Sequence, residues 1–137
     1  MRTLRDDNIL GLPDGRQLCY AEYGDPDGKP VILVHGTPGS RLYWKSVPGF
    51  PFCSDLRIIA PDRPGYGLSD WKPGRTLLNW PDDVVALADA LGLDRFTMTG
   101  VSGGGPETLA CAWTIPERLT AVGILHSPSP PDAPGYF

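Results

Sequence analysis

The sequence predicts an α/β protein with three layers, in which helices cover both faces of a mostly parallel β-sheet. Two observations support this fold class. Short apolar runs, typical of strands buried on both faces, alternate along the chain with amphipathic helical segments. Three of these runs, at residues 31–34, 56–60 and 96–99, lead directly into glycine-containing loops. Because the carboxyl ends of parallel strands meet at one edge of a sheet, we expect the functional residues of these loops to lie together.

The first elements predict an antiparallel start to the sheet. Residues 12–16 have the composition of a turn, and residues 17–24 form a strand with mixed faces, suited to an antiparallel edge. A short strand is also expected before the turn. A polar turn then leads into the buried strand at 31–34, and Ser40 is placed to N-cap a short helix over 42–44.

The segment after the second glycine-containing loop predicts an amphipathic helix. We expect it to begin at the N-cap residue Asn79 and to end at Gly92 in the C′ position. Asp82 and Asp83 fall in its first turn, where carboxylates stabilise the helix dipole, and this capping role is preferred to an acid/base pair. Apolar residues recur at the spacing of one helical face, which should pack on the sheet: Val84, Leu87, Ala88 and Leu91.

A second helix and a sixth strand follow. The helix is predicted over about residues 103–114, because Ile115 precedes a proline and such residues usually end a helix. The apolar run at 121–125 predicts the strand. Prolines are dense in the remaining residues, so the chain should leave the sheet there. We therefore assign residues 1–127 to the core domain and 128–137 to a separate segment.

The loop after the run at 96–99 has the pattern G-x-S-x-G, with Ser102 at its centre. A serine between a buried strand and a helix fits a nucleophile elbow, a sharp turn that exposes the hydroxyl. Gly100 and Gly104 would let the strand and the helix approach each other, and Gly103 would keep the next N–H open to an oxyanion. A glycine-rich loop without function is the alternative for this motif taken alone.

Two further loops follow the other buried strands. Residues 35–39 form an H-G-x-P-G turn, and residues 62–69 have the pattern D-R-x-G-x-G-x-S. All three motifs occur in the order and strand context that is typical of the α/β-hydrolase family. The chain resembles the lidded esterase and proline-iminopeptidase-like members of that family, from about Leu12 to its last residue.

The resemblance implies a serine hydrolase that cleaves an ester, amide or thioester bond of a small-molecule substrate, without a cofactor or a metal. Ser102 would be the nucleophile, and the backbone N–H groups of Thr37 and Gly103 would form the oxyanion hole. Gly36 and His126 are candidates for contacts with the substrate or with a lid. A serine in the elbow argues against the haloalkane dehalogenases, which resemble these proteins but have an aspartate there.

The resemblance also shows which catalytic groups are missing. In this family the serine, the acid and the histidine follow one another along the chain, but only 35 residues follow Ser102. His35 would be structural, and His126 should end a strand facing the substrate or lid. Asp132 is an alternative position for the acid. The resemblance thus implies the N-terminal half of an enzyme, truncated after about the sixth strand, with residues 128–137 as the start of a lid.

We expect such a chain to be inactive alone. It would need a complementing C-terminal half, or it would self-associate through an open sheet edge at residues 122–124. A non-catalytic binding or interaction protein is the alternative, because the family's histidine is missing.

Composition excludes other classes of function. The net charge is −4 and no cluster of Lys and Arg is present, which argues against a nucleic-acid partner. The longest apolar runs have the length of strands, so no membrane span is expected, and the absence of an apolar leader predicts a cytoplasmic location. Three cysteines without C-x-x-C spacing predict free thiols rather than disulfides, a zinc site or a catalytic Cys–His pair: Cys19, Cys53 and Cys111.

Overall fold

The computed structural model of the chain describes residues 3–50 and 54–135. One six-stranded sheet lies within these residues. Its strands are β1 (Thr3–Gly11), β2 (Gln17–Gly24), β3 (Lys29–Val34), β4 (Leu56–Pro61), β5 (Phe96–Val101) and β6 (Leu119–Leu125).

The spatial order of the strands is β1-β2-β4-β3-β5-β6. β2 pairs antiparallel with β1 and with β4, while β4, β3, β5 and β6 form parallel pairs. The mostly parallel sheet and the antiparallel start are therefore confirmed. β1 has nine residues and is longer than the short strand that the sequence predicts. Its polar residues form a strand because β2 supplies a partner along most of its length, with irregular register before Asn8.

Two α-helices follow the glycine-containing loops: α1 (Trp80–Ala90) and α2 (Gly104–Thr114). Both pack on the same face of the sheet, in a core that includes Trp80, Phe96 and Met98. The opposite face is covered by a short 3-10 helix, Tyr43–Ser46, which buries Trp44. Two more 3-10 turns, Leu77–Asn79 and Pro116–Arg118, lie before α1 and β6. Helical segments thus cover both faces, as expected for an α/β protein.

The apolar stripe of α1 is confirmed, since Val84, Leu87 and Ala88 are fully buried and Leu91 packs against them at the end of the helix. Gly92 adopts a φ of +68°, the left-handed conformation that ends many helices at C′. The positions of both helices therefore follow from apolar spacing and from the residues at their ends.

Two local predictions hold in position but differ in detail. The helix expected over 42–44 is a 3-10 helix over Tyr43–Ser46, and it is short because Val47 precedes Pro48 and takes an extended conformation. Ser40 lies just outside it, and its Oγ accepts a hydrogen bond from the Leu42 N–H at 3.3 Å.

The roles predicted for the polar residues at the start of α1 also change. Asn79 occupies the N-cap position without a capping hydrogen bond, because its side chain accepts from the Thr76 N–H at 2.8 Å. Asp83 is buried and accepts two hydrogen bonds from Arg16, at 2.5 and 2.9 Å. This carboxylate pairs with Arg16 because the β1–β2 turn lies against the start of α1. Asp83 lies in the first turn of α1, as the sequence predicts, and it also ties the two elements together.

β6 forms one edge of the sheet. Three of its apolar side chains are exposed: Val122, Ile124 and Leu125. The open edge expected at residues 122–124 is therefore present among the described residues. In the same part of the chain, no helix is long and apolar enough to cross a membrane.

Candidate active site

Ser102 lies in the turn between β5 and α2, at the carboxyl edge of the parallel strands. Its φ is +50°, in the left-handed region that residues with a side chain rarely adopt. The turn is fixed on both sides, because the Ser102 N–H donates to the Leu125 carbonyl at 2.9 Å and the Ser102 carbonyl accepts from the Gly105 N–H at 2.9 Å. This strained serine is the conformation expected of a nucleophile elbow.

Glycines around Ser102 are required by close contacts. A Cβ at Gly100 would collide with the carbonyl oxygen of Gly104 and with the Thr108 hydroxyl. A Cβ at Gly104 would lie 2.5 Å from the Val34 carbonyl oxygen. β5, β3 and α2 therefore approach so closely at this point that only glycine fits at these two positions.

The H-G-x-P-G loop lies directly against the elbow. A Cβ at Gly36 would be 3.0 Å from the Cβ of Ser102, and a Cβ at Gly103 would be 2.5 Å from Thr37 Oγ1 and 3.4 Å from Thr37 N. Four residues singled out from the sequence are thus brought together: Gly36, Thr37, Ser102 and Gly103.

His126 is the fifth residue singled out from the sequence. It follows Leu125 at the end of β6, has a φ of +49° and is exposed. Among residues 3–50 and 54–135, neither its ring nor the Ser102 Oγ has a hydrogen-bond partner. His126 therefore follows directly after Leu125, whose carbonyl accepts from the Ser102 N–H, but its ring makes no hydrogen bond to the Ser102 side chain.

His35 is fully buried under the same loop. Its Nδ1 donates to the Gly36 carbonyl at 2.8 Å and its Nε2 accepts from the Arg63 backbone N–H at 3.2 Å. Burial lowers the pKa of His35 to about 4, so the ring is neutral near pH 7. Since both ring nitrogens are engaged with backbone groups, His35 holds two loops together and is not placed to act as a base.

Asp62 organises the third loop. Its carboxylate is fully buried and accepts from the Arg41 N–H at 2.6 Å, from Arg41 Nη1 at 2.8 Å and from the Leu68 N–H at 2.9 Å. The Ser69 hydroxyl donates to the Asp62 carbonyl at 2.8 Å. Asp62 and Ser69 are therefore parts of the loop's framework.

A buried arginine below the site was not found from the sequence. Arg63 Nη2 donates to the Gly36 carbonyl at 2.9 Å and to Thr37 Oγ1 at 2.6 Å, and its guanidinium carbon lies 4.4 Å from the centre of the Tyr66 ring. Glu107, in the first turn of α2, is its carboxylate neighbour at 3.5 Å. The sequence shows only an Arg in the loop and a Glu in the second helix, α2, and neither residue by itself identifies its partner.

Comparison with known proteins settles the family. The model of the alpha/beta hydrolase fold family matches residues 29–136 of this chain. The chain belongs to the α/β-hydrolase fold family. This match covers all three loop motifs, and the predicted resemblance is confirmed.

Several α/β-hydrolase fold proteins are similar to this chain. A non-heme chloroperoxidase of Streptomyces lividans is 34% identical over 119 residues, which are 86% of this chain and 43% of the relative. A proline iminopeptidase of Xylella fastidiosa is 37% identical over 131 residues, 88% of this chain and 41% of the relative. A thermophilic esterase from Thermogutta terrifontis superposes with a TM-score of 0.77 at 31% identity, covering 98% of this chain and 48% of the esterase. The chain spans less than half the length of these relatives.

Other ionisable groups of this α/β-hydrolase fold chain lie outside the elbow. Cys19 and Cys111 are buried free thiols, and burial raises the pKa of Cys111 to about 12 and that of Cys19 above its usual value. The prediction for Cys53 falls outside the described residues. Asp132, the alternative acid, is exposed in the segment after β6. In the described ranges, no group of three or more His, Cys, Asp and Glu could hold a metal ion.

Proposed function

We propose that this chain carries the nucleophile and oxyanion-hole part of a serine hydrolase that acts on an ester, amide or thioester bond of a small molecule. One observation supports this most strongly: Ser102 holds a left-handed φ of +50° in a turn where its Oγ has no partner among the described residues. A conformation of this cost persists where the surrounding structure enforces it, as at nucleophile elbows.

In the proposed reaction the Ser102 Oγ attacks the carbonyl carbon of the substrate, and a base takes up the hydroxyl proton. The carbonyl π electrons move to oxygen, and this oxyanion accepts hydrogen bonds from the N–H groups of Thr37 and Gly103. The α2 N-terminus begins next to Gly103 and places the positive end of its dipole at the same point. The leaving group then departs with a proton, and water hydrolyses the acyl-enzyme and frees Ser102.

Among the described residues, no side chain that could act as the base is hydrogen-bonded to Ser102. His35 cannot serve, because both its ring nitrogens are engaged and burial lowers its pKa to about 4. We therefore propose that this chain is inactive alone and works with a complementing C-terminal half that supplies an acid and a histidine. Self-association through β6 is the second arrangement we propose, since that edge is apolar and open.

A non-catalytic binding or interaction protein is the second candidate function. The lack of a histidine bonded to Ser102 among the described residues favours it, because a serine hydroxyl without a base is a weak nucleophile. The strain at Ser102 and the closeness of Thr37 to Gly103 favour catalysis, because binding alone requires neither.

A labelling experiment tests the proposed nucleophile. The chain is joined to the C-terminal half of a related α/β-hydrolase and treated with a fluorophosphonate probe. We expect the probe to label Ser102, and we expect Ser102→Ala to abolish both the labelling and the hydrolysis of short p-nitrophenyl esters. Labelling that survives in the alanine variant would identify another nucleophile and would overturn the proposal.

A further inference from the structure

Arg63 is a charged residue with only 3% of its surface exposed, placed where the H-G-x-P-G loop meets the elbow. Its Nη2 donates to the Gly36 carbonyl at 2.9 Å and to Thr37 Oγ1 at 2.6 Å. Its Nη1 donates to the Gly103 carbonyl at 3.3 Å. One guanidinium thus contacts carbonyl groups in both backbone segments from which the proposed reaction takes its oxyanion donors.

The contact with Gly36 acts on the oxyanion donor through the peptide bond. The Gly36 carbonyl and the Thr37 N–H belong to the same planar peptide, so fixing the direction of one fixes the direction of the other. The carbonyl oxygen accepts from Arg63 and also from His35 Nδ1, at 2.9 and 2.8 Å. Two donors on this oxygen hold the peptide plane and polarise its N–H, which makes that group a stronger donor.

Arginine is the side chain suited to this task. Its planar guanidinium has donors on a rigid fork, so the two Nη groups can address acceptors on two segments simultaneously. A lysine would keep the charge, but its single ammonium group lacks the fork.

Neighbouring residues hold the guanidinium in place. Its carbon lies 4.4 Å from the centre of the Tyr66 ring, a stacking distance for a cation and an aromatic face. Glu107 Oε1 lies 3.5 Å from Arg63 Nη1 and accepts from Arg75 Nη2 at 2.6 Å. Arg63 and Arg75 thus share the Glu107 carboxylate, and this carboxylate offsets the cost of burying the Arg63 charge.

We propose that Arg63 is a positioning residue of the oxyanion hole, which holds the Gly36–Thr37 peptide with its N–H directed at the substrate oxygen and ties it to Gly103. This inference rests on the proposed function, because an oxyanion hole has a purpose only if Ser102 attacks a carbonyl. A merely structural Arg63 would change stability and leave the reactivity of Ser102 in the folded chain unaltered.

The test uses the chain joined to the C-terminal half of a related α/β-hydrolase, with two variants, Arg63→Lys and Arg75→Gln. Arg75 is the matched control, because it contacts the same carboxylate but neither Gly36 nor Thr37 among the described residues. Intact-mass spectrometry follows phosphonylation by a fluorophosphonate at several probe concentrations and separates the maximal rate from the half-saturating concentration. In parallel, {1H}-15N NOE values report the order of the Thr37 N–H, and thermal melts report folding.

For Arg63→Lys we expect a maximal labelling rate lower by roughly tenfold to a hundredfold with little change in half-saturation, because a misplaced group mainly slows the chemical step. The Thr37 N–H should also lose order. Arg75→Gln should melt earlier, since it leaves Glu107 with a weaker partner, and should keep both the labelling rate and the order of Thr37. Arg63→Lys with wild-type labelling, or with a fully ordered Thr37, would overturn the inference.

The two proposals fail in different ways. If the joined wild-type protein takes up no probe at Ser102 while Thr37 loses order only in Arg63→Lys, the serine chemistry fails, whereas the positioning of the Thr37 N–H by Arg63 stands. If Arg63→Lys does not fold, the wild-type protein gives the answer: the Arg63 Nη protons should exchange with solvent far more slowly than those of exposed Arg5, whose side chain bonds only Asp7 among the described residues. Equal exchange at the two arginines would contradict the inference.

Discussion

Thr37 contributes two groups to the candidate site, a backbone N–H beside Gly103 and an Oγ1 that accepts from Arg63. Thr37→Ala removes the second group only, and the Gly36 carbonyl keeps its two donors, so turnover should fall no more than a few-fold. Thr37→Pro removes the N–H and should cost roughly a hundredfold or more, as expected for the loss of one oxyanion donor. Ester hydrolysis by the chain joined to a related C-terminal half measures both.

Equal losses in the two Thr37 variants would show that the side chain, rather than the N–H, is the active group. Thermal melts of both variants are the control, because proline can also strain the loop.

His35 makes stability depend on pH. Its folded pKa of about 4 lies below the ordinary value of 6.5, so the unfolded chain binds a proton first as pH falls. The stabilisation is complete above pH 6.5 and is lost between pH 6.5 and 4. Because protonation of this ring favours the unfolded chain, the free energy of unfolding should fall by about 2 kcal/mol between pH 7.5 and 5.

Urea unfolding of the wild-type chain and of His35→Gln at these two pH values measures this term. We expect the variant to be less stable at pH 7.5 and to lose less on acidification, because it lacks the titrating ring. The same pH dependence in both proteins would contradict the assignment of that loss to His35.

At the scale of elements, α1 is tied to the β1–β2 turn by one buried ion pair. Asp83→Asn removes two hydrogen bonds and leaves Arg16 only the partly exposed Asp14 carboxylate at 2.8 Å, so it should lower the free energy of unfolding by about 2 kcal/mol. Asp82→Asn is the matched control: Asp82 is the exposed neighbour, and its change should stay within about 0.5 kcal/mol. Urea unfolding that shows equal effects at the two positions would rule out a structural role of the pair.

The elements were largely predictable because their signals are local. Buried β-branched runs predict β3 and β4, and the spacing of Val84, Leu87 and Ala88 predicts the buried face of α1. The elbow glycines could also be predicted, since a sharp strand-to-helix turn needs them wherever it occurs.

The polar framework of the site could not be predicted, because it depends on pairs that are distant in sequence. Arg41 bonds Asp62 across 21 positions, and Arg63 bonds Thr37 across 26. Such pairs follow no periodic pattern, and their partners are fixed only when the loops converge at the edge of the sheet. For the same reason the sequence predicts the position of Asp83 in the first turn of α1 but not its bond to Arg16, 67 positions away.

At the scale of the whole molecule, the open edge at β6 should govern association. An exposed apolar strand with unpaired backbone groups favours pairing with another chain. We expect the purified chain to be dimeric or aggregated in sedimentation velocity experiments, and Val122→Lys to shift it towards the monomer. Ile9→Lys, on exposed β1 at the opposite edge, is the matched control and should have little effect. A monomeric wild-type chain, or dissociation caused only by Ile9→Lys, would show that β6 is not the contact.

The central claim is that this chain carries the nucleophile Ser102 but not the base that activates it. The most direct test compares the hydrolysis of p-nitrophenyl acetate by the 137-residue chain alone and by the chain joined to a related C-terminal half. Alone, we expect no more than the residual catalysis left by an oxyanion hole and binding, about 10³ to 10⁴ over water in a serine protease stripped of its triad. The joined protein should turn over at a normal enzymatic rate that Ser102→Ala abolishes. A monomeric, cooperatively melting chain that hydrolyses several esters per second through Ser102 would contradict this account and would make His126 the base.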